Sequence, residues 1–135
     1  MYNGSCLCKT VQFEILGPIH NIIYCHCSEC RKAQGTAFAT NGFVDTAEFK
    51  IVTGEKQLTA YKNSATQTKY FCRQCGTPIM SKNTKTPDHI RIRLGTIDSD
   101  ITERPGAHIF VHSKANWDSI CDDLPQFEEF EPDRN

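Results

Sequence analysis

Cys25-His26-Cys27-Ser28-Glu29-Cys30 is the stretch that decides how the rest of this 135-residue chain is arranged. Three thiols fall within it, in the spacing C-x-C-x-x-C. Alternate residues of a β-strand lie on the same face, which directs Cys25 and Cys27 toward one position. A turn after Cys27 would return Cys30 to that position. The spacing therefore predicts that the three sulfurs converge on a metal ion.

Two more cysteine pairs lie outside this stretch, in Cys6-Leu7-Cys8 and Cys72-Arg73-Gln74-Cys75. Clustered thiols in a reducing compartment are more often metal ligands than disulfides. Zinc prefers tetrahedral thiolate sites, and its structural sites fill all four positions with protein ligands. We therefore expect a closed structural zinc site at the four-cysteine group, which consists of Cys6, Cys8, Cys72 and Cys75.

The three-cysteine group, Cys25, Cys27 and Cys30, supplies one ligand fewer than a closed site needs. Three protein ligands with an open fourth position are typical of a catalytic zinc. Two residues are alternative fourth ligands. Cys121 stands alone in the sequence, and a lone cysteine is more often a buried small apolar residue than a metal ligand. His26 would point away from the strand face that its neighbours share, so packing or a substrate contact is favoured for it.

The charge distribution and length limit the class of protein. The length predicts one domain, for which we take residues 1–127, followed by an acidic tail at 128–135. Residues 118–135 carry seven acids and one base, whereas residues 1–117 carry fourteen bases and nine acids. No dense Lys/Arg stripe occurs, which argues against a nucleic-acid partner. No apolar run predicts a membrane span and no secretory signal is recognisable, so a cytoplasmic location is expected.

Alternation of apolar and polar residues predicts short strands through most of the chain. The clearest example is residues 90–94, in which Arg91 and Arg93 alternate with apolar residues. Residues 58–61 and 67–71 predict a hairpin that delivers the second cysteine pair. Ser28 is the expected N-cap of a short helix that Gly35 ends, and residues 113–117 predict one helical turn. About eight strands with one or two helical turns indicate an all-β domain.

A divalent ion held by three thiolates keeps a net negative charge, which weakens it as a Lewis acid toward water. The open position still suits a soft ligand, namely an incoming thiol, which would be held there as the reactive thiolate. The expected chemistry is addition of a thiol to a small electrophile such as an aldehyde, or the reverse. A peptide-like thiol also carries carboxylates. Candidate contacts for them, each with solvated surface charge as its alternative, are Arg31, Lys32, Lys69 and Arg73.

Three motifs carry a family resemblance: Gly4-Ser5-Cys6-Leu7-Cys8, the stretch from Cys25 to Lys32, and Phe71-Cys72-Arg73-Gln74-Cys75-Gly76. With residues 108–117 near the C-terminus, they resemble the glutathione-dependent formaldehyde-activating enzyme family, which also includes centromere protein V. The resemblance extends over residues 3–127. It implies a β-tent fold with two zinc ions, a structural one at the four-cysteine group and a catalytic one at the three-cysteine group.

The resemblance also implies carbon–sulfur lyase chemistry, in which glutathione and formaldehyde combine to S-hydroxymethylglutathione and the adduct can be cleaved again. A small-molecule thiol such as glutathione is then the expected partner. Members with this activity are longer than this chain, and no glutathione-contacting residue is carried over. Two alternatives stay open. One is a non-catalytic, zinc-stabilised binding or scaffold module with a fourth protein ligand, and the other is a redox or metal-buffering role.

Overall fold

The computed structural model describes residues 1–132, which form two β-sheets and one short α-helix. The strands are β1 Tyr2–Ser5, β2 Gln12–Ile15, β3 His20–Cys25, β4 Ala39–Asp45, β5 Phe49–Thr53, β6 Leu58–Lys62, β7 Gln67–Cys72, β8 Pro78–Asn83, β9 His89–Arg93 and β10 Ala107–Ile109. The helix α1 spans Ser28–Gln34. Single 3-10 turns lie at Thr46–Glu48, Glu55–Gln57, Leu94–Thr96 and Val111–Ser113. The all-β class is confirmed, with β1 as a strand that the sequence patterns did not predict.

The two sheets enclose the hydrophobic core. The smaller has the order β1-β2-β5, and the larger has the order β10-β3-β4-β9-β8-β7-β6. Phe13 and Ile15 of the small sheet pack in one cluster with Ile90 and Ile92 of the large sheet. Gly4 of β1 permits this packing, because a Cβ there would lie 2.0 Å from the Phe13 ring.

The other face of the large sheet is polar. The two isoleucines of β9 enter the core, so Arg91 and Arg93, which alternate with them, project to the opposite face. Strand register places Asn41 opposite Arg93, and Ser81 opposite both Arg91 and Lys69. A row of cationic and hydrogen-bonding side chains therefore crosses this outer face.

The predicted start of the helix is wrong by one residue. Cys27 is the N-cap, and its Sγ accepts a hydrogen bond from the Cys30 backbone N–H at 3.3 Å. Ser28 is the first helical residue instead, because the extended backbone persists through Cys27. The other end is as predicted, since Gly35 closes the helix with a left-handed φ of 63°.

The second helical turn also lies earlier than predicted, at Val111–Ser113. Phe110 has a positive φ of 56°, which ends the extended backbone after β10 and starts the turn at once. Trp117, which follows this turn, is 70% exposed. Cys121 is exposed as well, rather than being a buried apolar residue.

The chain after residue 117 returns to β10. The His108 N–H donates to the Pro125 carbonyl, and the Phe110 N–H donates to the Glu129 carbonyl. The boundary between a domain at 1–127 and an acidic tail stays a prediction, and residues 133–135 of that tail lie outside the described residues. In the part of the chain that is described, none of the helices has the length and apolar character needed to cross a membrane.

Candidate metal centres

The four-cysteine group joins turns from the two different sheets. The β1–β2 connection supplies Cys6 and Cys8, and the end of β7 with the following turn supplies Cys72 and Cys75. The four sulfurs all lie within 4.8 Å of one another, with Sγ–Sγ distances of 3.6 Å for Cys6–Cys8 and 3.8 Å for Cys8–Cys72. A tetrahedral zinc with bonds of about 2.3 Å separates its ligand sulfurs by about 3.8 Å. The donor set and spacing therefore fit a metal ion and are consistent with zinc.

Hydrogen bonds hold the two turns of this group together. The Leu7 N–H donates to the Thr77 hydroxyl oxygen at 3.0 Å, which ties the first turn to the second. The Thr77 hydroxyl lies 3.2 Å from Cys75 Sγ and lowers the pKa of that thiol to about 5. Burial raises the pKa of Cys6 to about 11. A metal ion would therefore have to displace a proton at Cys6, whereas Cys75 already favours the thiolate.

The three-cysteine group forms where β3 passes into α1. Cys25 is the last residue of β3, Cys27 caps the helix and Cys30 lies in its first turn. Their sulfurs also lie within 4.8 Å of one another. Hydrogen bonding from the Cys25 thiol lowers the pKa of Cys27, and the same contact raises the pKa of Cys25. The arrangement predicted from the C-x-C-x-x-C spacing is present, and it also fits a thiolate-bound metal ion.

Neither alternative fourth ligand joins these sulfurs. Within residues 1–132, the group of mutually close metal-ligating side chains at this place has three members, all cysteines. The Cys121 sulfur lies on the surface, near the backbone carbonyl of Ser119. His26 is fully buried, and its Nε2 lies 2.9 Å from Nδ1 of His108. Packing is therefore the role that the structure gives to His26.

His26 belongs to a chain of polar groups that supports the cysteine loop and runs from the buried rings of His26 and His108 to the exposed Asp122. The His108 Nε2 lies 3.0 Å from both carboxylate oxygens of Asp122, and this contact lowers the pKa of Asp122. The His26 backbone N–H donates to the Ile109 carbonyl at 3.0 Å. The loop that carries the three thiols is thus fixed to β10 and, through the two rings, to the segment that contains Asp122.

A cavity of about 520 Å³ opens on the three-cysteine group and lies over the polar face of the large sheet. Its cationic lining residues are Lys69, Arg91 and Arg93. Arg93 is 6% exposed, donates from Nη1 to the Asn41 side-chain oxygen at 3.0 Å, and has a buried Nε with no hydrogen-bond partner among residues 1–132. Burial, and then the nearby Arg93, lower the pKa of Lys69. The cavity therefore presents positive charge beside thiols that bear negative charge once ionised.

Of the four cations that the sequence proposed as carboxylate contacts, Lys69 lines this cavity. Lys32 lines a neighbouring groove. Arg31 instead donates to a backbone carbonyl at 3.3 Å, and Arg73 is exposed and donates to a glutamine side chain at 3.3 Å. Proximity in sequence to a cysteine was thus a weak guide to position in the site.

Sequence reasoning missed Arg91 and Arg93. The signal was available, because both lie in the strand with the clearest alternation of apolar and charged residues. Two arginines on one face of a strand whose other face is core predict a polar surface of the sheet. Which strands lie beside β9, and therefore that this surface adjoins the cysteines, follows only from the sheet order.

The fold is shared with a solved structure. It is a protein of Rhodobacter sphaeroides, with a TM-score of 0.62 and 24% sequence identity, and the match covers 76% of this chain and 97% of that one. At this identity the similarity shows the fold alone.

Two sequence relatives are named as enzymes. A protein of Podospora anserina, provisionally named as a glutathione-dependent formaldehyde-activating enzyme, is 29% identical over 105 residues, which are 76% of this chain and 48% of that protein. A Schizosaccharomyces pombe protein named as an uncharacterised lyase is 26% identical over 78 residues, 58% of this chain and 55% of that protein. The chain thus spans about half the length of these relatives. The family model described as glutathione-dependent formaldehyde-activating enzyme matches residues 1–113, and the chain belongs to that family.

Proposed function

We propose that the protein is a zinc-dependent carbon–sulfur lyase that joins a thiol to an aldehyde and cleaves the adduct, with glutathione and formaldehyde as the reference pair. The observation that carries this proposal is the three-cysteine group, which faces a cavity of about 520 Å³ and has no fourth ligating side chain among the described residues. Small-molecule sites commonly have volumes of about 300–1,000 Å³. Membership of the family and the lyase named among its relatives support the same chemistry.

The charges around the cavity favour an incoming thiolate. A zinc ion with three thiolates would carry one net negative charge. The cavity lining adds three positive charges, from Lys69, Arg91 and Arg93, and one negative charge, from Glu29. The sum is one positive charge, which a substrate thiolate would neutralise. Burying an unbalanced charge is costly, so a neutral thiol or an amine would be bound less well at this position.

Each element of the site has a distinct part in the proposed reaction. Cys25, Cys27 and Cys30 would hold the zinc, which when bound would supply a coordination position for the substrate sulfur as a thiolate. The polar face of the large sheet orients the rest of the thiol through Lys69 and Arg93. The Arg93 Nε–H, which has no hydrogen-bond partner among residues 1–132, is the donor that we assign to the oxygen of the adduct.

The proposal is tested by the exchange rate of the adduct, because glutathione and formaldehyde also combine without an enzyme. Two-dimensional exchange NMR with carbon-13 formaldehyde measures the rate at which S-hydroxymethylglutathione forms and breaks. The zinc-loaded protein is expected to raise both rates together without moving the equilibrium. Exchange at the uncatalysed rate, in protein shown to hold two zinc ions per chain, would contradict the proposal.

A further inference from the structure

A second groove meets the cavity described above. It has a volume of about 420 Å³ and shares Glu29, Lys69 and Arg93 with that cavity. Beyond these shared residues its lining is mainly apolar or aromatic: Ala33, Tyr61, Tyr70, Phe71 and Pro78. The two spaces therefore adjoin at a junction of three charged residues, and the groove adds a mainly apolar lining to the charged cavity that opens on the three cysteines.

One side of this groove is a face of helix α1. Glu29, Lys32 and Ala33 are spaced three and four residues apart, which places them on the same side of the helix. The opposite side comes from the β6–β7 hairpin, where Tyr61 is 58% exposed. The Asn63 amide donates to the Glu29 carboxylate at 3.4 Å and links the hairpin to the helix. The groove is thus bounded by two elements that are joined to each other.

The order of these features matches the order of groups in a thiol–aldehyde adduct. The sulfur belongs at the three cysteines, and the carbon attached to it carries the hydroxyl group. The cations Lys69 and Arg93 lie at the junction, where that oxygen would be placed. The next group along is the side chain of the aldehyde, which would enter the apolar groove. Formaldehyde has no such side chain and would leave the groove empty.

Building on the proposed function, we propose that the preferred electrophile is a larger aldehyde with an aliphatic or aromatic side chain, which occupies the groove lined by Ala33, Tyr61 and Phe71. In the cleavage direction the carbon–sulfur bond breaks, and its electron pair leaves with the sulfur as a thiolate. The hydroxyl proton passes to solvent and the carbon–oxygen double bond forms. No oxidant or reductant is required. Addition of the thiol to the aldehyde is the same step reversed.

Binding of inert thioethers tests this inference without turnover. S-methylglutathione and S-hexylglutathione cannot react, and they differ only in an apolar chain on the sulfur. Isothermal titration of the zinc-loaded protein is expected to show that S-hexylglutathione binds at least about tenfold more tightly, because burial of each added methylene is favourable. Equal affinities, or no measurable binding of either compound, would overturn the inference.

Two substitutions show whether the groove causes the preference. Ala33→Gln places a polar side chain in the groove at an exposed helical position, and is expected to reduce the preference about fivefold while S-methylglutathione binds as before. Ala47→Gln is the matched control, because Ala47 is exposed and lines neither the cavity nor the groove. Tyr61→Ala, which removes an aromatic ring from the groove, should act like Ala33→Gln. A preference unchanged in both Ala33→Gln and Tyr61→Ala would overturn the inference.

Failure of this inference can be told apart from failure of the proposed function. If the wild-type protein accelerates glutathione–formaldehyde exchange but has no preference for the hexyl compound, only the substrate inference is wrong. If the preference is present and the exchange rate is unchanged, the groove binds an apolar substituent and the lyase activity is wrong.

Discussion

The two cysteine groups differ in how much chain separates their ligands. In the four-cysteine group Cys8 and Cys72 are 64 residues apart and come from turns of different sheets. The three-cysteine group lies within six consecutive residues where β3 passes into α1. The entropic cost of closing a loop grows with its length, so a metal at the first group would constrain the unfolded chain far more. The first group is therefore suited to hold the fold together, and the second to bind an external ligand.

The largest expected effect is loss of the fold in Cys72→Ser. This substitution removes one ligand of the group that connects the two sheets. Structural zinc contributes about 10–16 kcal/mol of apparent binding free energy, whereas whole domains are stable by about 5–15 kcal/mol. We expect the variant to be unfolded or insoluble, as measured by circular dichroism and by zinc content. A melting temperature equal to that of the wild type would show that the folded state does not depend on this group.

The next largest effect is loss of activity without loss of the fold in Cys27→Ser. Serine is a favoured helix N-cap, so its oxygen can still accept the hydrogen bond from the Cys30 N–H. A zinc ion at this group would lose a ligand, and the rate of adduct exchange should fall more than about a hundredfold. The melting temperature should stay close to that of the wild type. If Cys27→Ser and Cys72→Ser unfold alike, the division of roles between the two groups is wrong.

The division into two groups could be predicted from the sequence because cysteine spacing alone carries it. A pair of thiols in a short turn supplies only two of the four ligands of a tetrahedral metal ion, so two such pairs are needed for one complete site. A run of three thiols supplies three ligands by itself and makes a partial site. The hairpin of β6 and β7 was predicted for a similar reason, since alternation and turn residues are local signals. These are the parts of the structure that depend on neighbours in the chain.

The rest of the site depends on which strands are neighbours in space. Arg93 on β9 and Lys69 on β7 meet the cysteines only because the sheet order places β3, β4, β9, β8 and β7 side by side. That order includes a parallel pairing of β10 with β3, which no local pattern announces. The cap at Cys27 was missed for another reason. Capping preferences favour oxygen acceptors such as the hydroxyl of Ser28, and a thiol acceptor that is also a candidate metal ligand lies outside them.

A smaller effect is expected for the charge beside the three-cysteine group. Lys69→Gln removes one of the three cations that line the cavity, and should raise the dissociation constant of glutathione about fivefold, or ~1 kcal/mol. The measurement is a titration of glutathione into cobalt-substituted protein, followed by thiolate-to-cobalt absorption. Arg73→Gln is the control, because Arg73 is an exposed cation near the four-cysteine group and does not line the cavity. Equal changes in both variants would mean that net charge, rather than the position of Lys69, matters.

The smallest expected effect separates the two roles of Cys27. Cys27→Ser and Cys27→Ala both remove the sulfur that would bind the metal, but only serine keeps an acceptor for the Cys30 N–H. Losing a helix cap costs about 1 kcal/mol, which for a chain of this size lowers the melting temperature by about 3 °C. We therefore expect both variants to be equally inactive, with Cys27→Ala the less stable by that amount. Equal stability would indicate that a side-chain acceptor at position 27 contributes nothing to the helix, and that the loop is held by the His26–His108 contact and the pairing with β10.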